Sequence, residues 1–259
     1  MMRITETVKH LIIINILMWI ATLTIGASEN LFNNLFALHF PKNDLFQPWQ
    51  ILTHMFMHAS YVPTPGGGST VYFQHILFNM FALWMFGGPV EQAFGKRKFI
   101  FFYISAGLGA ALIALGVDYA QYQIGMSELT ASGISVENIE QAVRELKPGY
   151  GFTDGNMAKV ANSYRTTMVG ASGAIMGVLV AFGMLYPESR LMLIFFPVPI
   201  KAKYFIPAII GLDLFSALTG YSIFSPSNTA YIAHLGGAFF GFVMMWYWKR
   251  NQFNKNRWD

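Results

Sequence analysis

Three stretches of this chain, residues 10–28, 99–117 and 166–187, contain no Asp, Glu, Lys or Arg. Each is about as long as the roughly 20 apolar residues a helix needs to cross a bilayer. Two further charge-free runs are longer. Residues 45–90 are polar at first and apolar from about Val71 to Gly88, and residues 214–248 end in an apolar aromatic run from Tyr231 to Trp248. A sixth apolar segment, Tyr204 to Tyr221, is interrupted only by Asp213. The pattern predicts six helices, over about 10–28, 72–88, 99–118, 168–187, 204–221 and 229–248, in an all-α polytopic membrane protein. Composition points the same way. Charged residues are 12% and hydrophobic residues 54% of 259, whereas an ordinary soluble domain carries about 25% charged residues. A soluble enzyme, a disordered chain and collagen are therefore excluded. The absence of Cys removes disulfides, thiolate metal sites and cysteine nucleophiles.

The basic residues orient this layout. With the N-terminus inside, twelve of the 17 Lys and Arg fall on inner segments, including Lys96-Arg97-Lys98 and Lys249-Arg250. Lys42, Arg144, Lys147, Lys159 and Arg165 fall on outer ones. That bias predicts cytoplasmic N- and C-termini. The net charge of +4 thus reads as topology and not as a nucleic-acid footprint. Gly26-Ala27-Ser28 resembles a signal-peptide cleavage site, but an even number of spans and the charge bias both favour a retained first helix. The chain reads as a single membrane domain, 1–259, with two long outer segments. The first, about 29–71, holds a Pro/Gly run from Pro63 to Ser69 that reads as flexible. The second, 119–166, is a polar external insertion. In it Val136, Ile139, Val143 and Leu146 recur at helical spacing after Ser135, a candidate N-cap, and Pro148-Gly149 ends the helix. That short helix is expected on the membrane surface or over the bundle. No internal repeat is visible.

Polar side chains are costly inside a membrane helix and usually functional. His75 and Asn79 begin the second helix, Ser172 lies in the first turns of the fourth, and His234 lies early in the sixth. All three helices enter from outside, so each group lies about 5–12 Å below the outer surface. Gly173-x3-Gly177 and Gly237-x3-Gly241 are small-xxx-small faces that let two backbones approach closely. Ser172 and His234 sit beside those faces. Close backbones would bring hydroxyl and imidazole within reach, as a base-activated serine requires. His75, Asn79 and the Ser172 backbone N–H are then available where an oxyanion develops. Gly170-x-Ser172-x-Ala174 does not match the Gly-x-Ser-x-Gly elbow of soluble α/β-hydrolases.

Gly170-Ala171-Ser172-Gly173 together with Ala233-His234-Leu235-Gly236-Gly237-x3-Gly241 resembles the signature of the rhomboid intramembrane serine proteases. Trp49-Gln50-x2-Thr53-His54-x3-His58, His75-x3-Asn79 and Gly87-Gly88-x2-Glu91-x3-Gly95 are similar to that family's first loop, second helix and following turn. The resemblance covers about 48–248, apart from inserted material near 60–71 and 119–166. It implies a six-transmembrane-helix bundle with a wet cavity opening outward, a Ser172–His234 dyad, and an oxyanion site of His75, Asn79 and the Ser172 backbone. It further implies an intramembrane endopeptidase of the bacterial inner membrane that cuts single-span membrane proteins near the outer face. No cofactor is implied, and the partners are transmembrane substrates and lipid. Two departures stand out: Gln50 where the family usually has Arg, and Met176 where many members place Tyr against the catalytic His.

Other residues carry plainer expectations. His54 and His58 sit four apart, but without the glutamate of His-Glu-x-x-His they read as hydrogen-bonding groups that shape the first loop. Asp213, about 13–15 Å from either end of its helix, invites a triad reading, but it is expected below the Ser–His level in a hydrogen-bonded or protonated structural role. Glu91 is expected to anchor the turn before the third helix. Trp246, Tyr247 and Trp248 beside Lys249-Arg250 read as an inner interface belt. Two other functional classes fit less well. One is a catalytically inactive rhomboid-like protein that binds membrane clients; the other is a small transporter, against which stands the lack of paired intramembrane charges and inverted repeats.

Overall fold

The computed structural model describes residues 4–25, 30–64, 68–146, 151–193, 196–221 and 230–253. Gly26-Ala27-Ser28, Pro65 to Gly67, Lys147-Pro148-Gly149 and the terminal Lys255 and Arg257 lie outside the described residues.

The chain opens with helix α1 (Glu6–Thr24). It begins four residues before the apolar run does, because a distant carboxylate satisfies its first turn. Glu91 accepts hydrogen bonds from the Thr7 N–H at 3.1 Å, the Val8 N–H at 3.0 Å and the Thr5 hydroxyl at 2.5 Å. The expectation that Glu91 anchors the turn before the third helix is thereby corrected: it caps the first helix, whose leading N–H groups have no intrahelical partner.

The segment after α1, expected to be the first outer one, folds into α2 (Leu31–Phe36), β1 (Leu38–His39) and α3 (Gln50–Thr53), which continues as a 3-10 turn to Phe56. The run expected to be flexible instead contributes to an antiparallel hairpin of β2 (Tyr61–Thr64) and β3 (Gly68–Val71). Next come α4 (Gln74–Ala82), a π-helical segment Leu83–Gly87, and α5 (Gly88–Phe94). Pro89 explains the π segment, since it has no N–H to give to the carbonyl four residues back. Gly95, at φ +76°, then turns the chain into α6 in a conformation that costs glycine little.

Helix α6 (Lys96–Ala131) is 36 residues long and does not stop at Asp118 as expected. Its C-terminal part carries α7 (Val136–Glu145) and α8 (Gly155–Arg165). Ser135 does cap α7, accepting the Asn138 N–H. The apolar face of α7 packs on the C-terminal part of α6. Ile139 and Val143 pack with Phe40, Tyr122, Met126, Leu129 and Val160 into a second core that is separate from the main one.

Strand β4 (Thr167–Met168) pairs with β1, Leu38 opposite Met168 and His39 opposite Thr167. It leads into α9 (Ser172–Leu185), the hairpin of β5 (Arg190–Leu193) and β6 (Phe196–Lys201), α10 (Ala202–Thr219) and α11 (Ala230–Trp248). The main core is built on α9, whose residues from Gly173 to Phe182 are all buried. Val8, Leu83, Phe99, Tyr103 and Met245 close around it. Among the described residues, α1, α6 and α10 are long and apolar enough to cross a membrane, and α9 is a shorter apolar helix. Their outer surfaces stay apolar: Phe101, Leu112, Phe215 and Leu218 are all exposed, as side chains facing lipid tails would be.

Candidate active site

Ser172 is the first residue of α9, so its N–H is among the leading donors that have no acceptor within the helix. Two constraints set the approach to it. Pairing of β4 with β1 ties Thr167 and Met168 to the first outer segment, and the Gly170 N–H donates to the His54 carbonyl at 2.9 Å. Gly170 has φ +126°, and a Cβ there would lie 3.2 Å from both Cε1 and Nε2 of His75 and 3.7 Å from Ser172 Oγ. Glycine is required on both counts.

Helices α9 and α11 meet backbone to backbone. A Cβ on Gly237 would sit 1.8 Å from the Gly173 carbonyl oxygen, and one on Gly241 would sit 2.6 Å from the Gly177 Cα. A Cβ on Gly173 would lie 2.5 Å from the Ala110 Cβ of α6 and 3.5 Å from the Ala233 carbonyl oxygen. Three helices therefore converge at Gly173 with no room for a side chain. Ser172 precedes Gly173 and His234 follows Ala233, so the two polar residues lie beside one contact. Both are only partly buried. No hydrogen bond joins Ser172 to His234 among the described residues. Catalytic hydrogen bonds are often long in an empty site and tighten when substrate binds.

His75, second residue of α4, approaches from a third side. Its Nδ1 accepts the Ala59 N–H at 3.0 Å, so a neutral ring keeps its proton on Nε2, the nitrogen nearest Gly170. Asn79, one turn on and buried, donates from Nδ2 to the His75 carbonyl at 2.8 Å. One of its amide hydrogens remains free.

The first outer segment is held by neutral groups. Gln50 is fully buried and donates to the carbonyls of Asn34 at 3.0 Å and Leu45 at 2.9 Å. Its Oε1 accepts from the N–H groups of Gln47 and His39. Gln50, where the family usually has Arg, thus ties this segment together through its amide. His54 Nδ1 bonds the Gln50 carbonyl at 2.9 Å and His58 Nε2 bonds Asn15 Oδ1 at 2.8 Å. Burial holds the His54 imidazole at about 4, and burial followed by the neighbouring His75 holds His58 at about 3. Both are therefore neutral hydrogen-bonding groups near pH 7. Among the described residues no three His, Asp or Glu side chains gather as a metal site would require.

Asp213 is hydrogen-bonded, as expected, but not below the level of His234. Its Oδ2 lies 3.0 Å from His234 Nδ1, with the two side chains 14% and 19% exposed. Helix α10 ends at Thr219, which leaves Asp213 about 9 Å from that end, while His234 is about 6 Å from the start of α11. The two levels nearly coincide. Met176, in the position of the family's Tyr, is buried in the main core.

A family model described as the rhomboid domain matches residues 45–147 and 149–251. The mouse presenilin-associated rhomboid-like protein, mitochondrial, is 30% identical over 174 residues, which are 67% of this chain and 33% of that protein. The Providencia stuartii rhomboid protease AarA is 30% identical over 64% of this chain and 48% of its own length. Rhomboid protein 1, mitochondrial, of Saccharomyces cerevisiae is 26% identical over 68% of this chain and 38% of its own length. The chain thus spans about one third to one half of these relatives. A model covering most of the sequence, on a mostly helical fold with apolar membrane-length helices, identifies the chain as a member of the rhomboid family of membrane-embedded proteins.

Proposed function

We propose that the protein is an intramembrane serine endopeptidase. It would cleave single-span membrane proteins near the outer face of a bacterial inner membrane, with six spans and both termini cytoplasmic. One observation carries the reading: the contact of α9 with α11 at Gly173 and Gly237, too close for any side chain, with Ser172 and His234 beside it. In this reading His234 takes the proton of the Ser172 hydroxyl as its oxygen attacks a peptide carbonyl, then returns it to the leaving amine. The developing oxyanion has three donors within the site: His75 Nε2–H, whose proton is fixed there by the Ala59 N–H, the Ser172 N–H at the start of α9, and Asn79. A helical substrate must unwind before attack, because its peptide groups are bonded within the helix. Single spans with small residues and weak helices near the outer face are therefore favoured.

The test compares wild type with Ser172→Ala and His234→Ala on a model single-span substrate in vesicles. Loss of cleavage in both variants, with fluorophosphonate labelling of Ser172 in wild type, supports the reading. Equal cleavage by all three proteins ends it. Neither cleavage nor labelling in wild type would instead favour a silent rhomboid-like binder of membrane clients.

A further inference from the structure

Asp213 is the one acidic residue of the largely apolar helix α10, and an unpaired carboxylate is costly inside a membrane. Its partner is His234, from which Nδ1 approaches Oδ2 at 3.0 Å. Residues 213 and 234 lie on neighbouring helices that are separate in sequence, and both side chains are mostly withdrawn from the surface.

The chemistry of this contact is directional. An ionised carboxylate only accepts hydrogen bonds, so the His234 Nδ1 that faces it must carry a proton. A neutral imidazole has one ring proton, and placing it on Nδ1 leaves the Nε2 lone pair free. That nitrogen, on the opposite side of the ring, is the one available to a serine hydroxyl. We infer that Asp213 is a positioning residue of the catalytic centre: it holds His234 in the Nδ1–H tautomer and fixes its ring. This turns a two-residue arrangement into a Ser172–His234–Asp213 relay within the membrane. The inference rests on the endopeptidase reading above.

The proton balance follows. As the Ser172 oxygen bonds to the substrate carbonyl carbon, its proton passes to His234 Nε2. The imidazolium so formed keeps its Nδ1–H on Asp213, which stays ionised throughout. When the carbon–nitrogen bond breaks, the Nε2 proton leaves with the amine, and water repeats the sequence to release the acyl group. Asp213 compensates the transient positive charge without taking a proton. It also gives the ring the orientation that Met176, with no hydroxyl and buried in the core, does not supply.

The experiment uses full-length protein in detergent, labelled with 15N-histidine, with His234→Gln to assign the resonance. The wild-type His234 ring proton is expected on Nδ1, and on Nε2 in Asp213→Asn, whose amide donates to Nδ1. In cleavage assays Asp213→Asn should lower kcat a hundredfold or more, toward the ~10⁴ lost when a triad carboxylate becomes an amide, with KM changed about twofold or less. Asp213→Glu, which keeps the charge, should recover part of that loss. A wild-type proton on Nε2 overturns the inference, as does Asp213→Asn with undiminished kcat. The wild-type spectrum decides the matter even if the Asn variant does not fold. Ser172→Ala, run in parallel, separates the two claims. An inactive Ser172→Ala beside a fully active Asp213→Asn sinks only the relay, whereas an active Ser172→Ala sinks the endopeptidase reading.

Discussion

His75 does two jobs with one ring: it accepts the Ala59 N–H on one nitrogen and presents the other toward Gly170 and Ser172. His75→Ala should therefore reduce kcat by tens- to about a thousandfold, the range for losing an oxyanion donor, while fluorophosphonate-accessible Ser172 persists. Unchanged kcat would remove His75 from that role. Gln50 makes a different prediction, because its buried side chain makes four hydrogen bonds. Gln50→Ala removes the partner of the Leu45 carbonyl, at about 1–3 kcal/mol for a buried group left unpaired. Thermal unfolding in detergent should show a lower Tm. Ser172, His234, His75 and Asn79 were legible in the sequence as candidates, because motif spacing marks them. The partners of Asp213 and Glu91 were not. Each bonds a residue more than twenty positions away in sequence on another helix, and nothing local in the sequence encodes that meeting.

Among the elements, the α9–α11 contact is the least forgiving. Gly237→Ala would drive a methyl to 1.8 Å from the Gly173 carbonyl oxygen, so the helices must part. Overpacking of that kind typically costs about 1–3 kcal/mol, and the separation carries Ser172 away from His234. Cleavage should fall with Gly237→Ala far more than with Gly211→Ala, where a Cβ meets nothing within 4 Å. Equal activity in the two variants would show that this contact does not set the site. The small-xxx-small spacing made the contact legible. The length of α6 was not. A hydropathy ruler stops at the first charge, Asp118, but helix formation does not. Tyr119 to Ala131 includes Ala, Gln, Met, Glu and Leu, all good helix formers, and the second core covers one face. The expected inner aromatic belt also divides. Trp246 and Tyr247 are exposed, whereas Trp248 packs against Phe94 and Phe102 with Lys98 over its ring.

At the scale of the whole molecule, charge pairing among the described residues, Asp213–His234 apart, sits at helix ends and in connecting segments. Between α9 and α10, Glu188 bonds Lys201 at 2.7 Å and Lys203 at 2.6 Å. Those hydrogen bonds pull its carboxyl from 4.5 down to about 2. A carboxyl depressed on folding adds stability above its ordinary value and loses it as pH falls toward the folded one. The contribution is small because the groups are exposed. Glu188→Gln should lower Tm slightly at neutral pH, and the difference should vanish by about pH 2. A constant difference across that range would disprove the pairing. On the opposite side the second core is lashed to the first outer segment: Asp44 pairs with Arg144 and accepts from Tyr164, and Asn43 donates to the Tyr164 carbonyl. The same unbroken rod that passes Gly173 at Ala110 continues to Tyr122, Met126 and Leu129 in that lobe. Twelve to nineteen residues of helix set a spacing of about 18–28 Å. The lobe is thus a fixed turret and not a tethered cap. A protein that rested on it would stand at one distance and one bearing from Ser172, set by the length of α6.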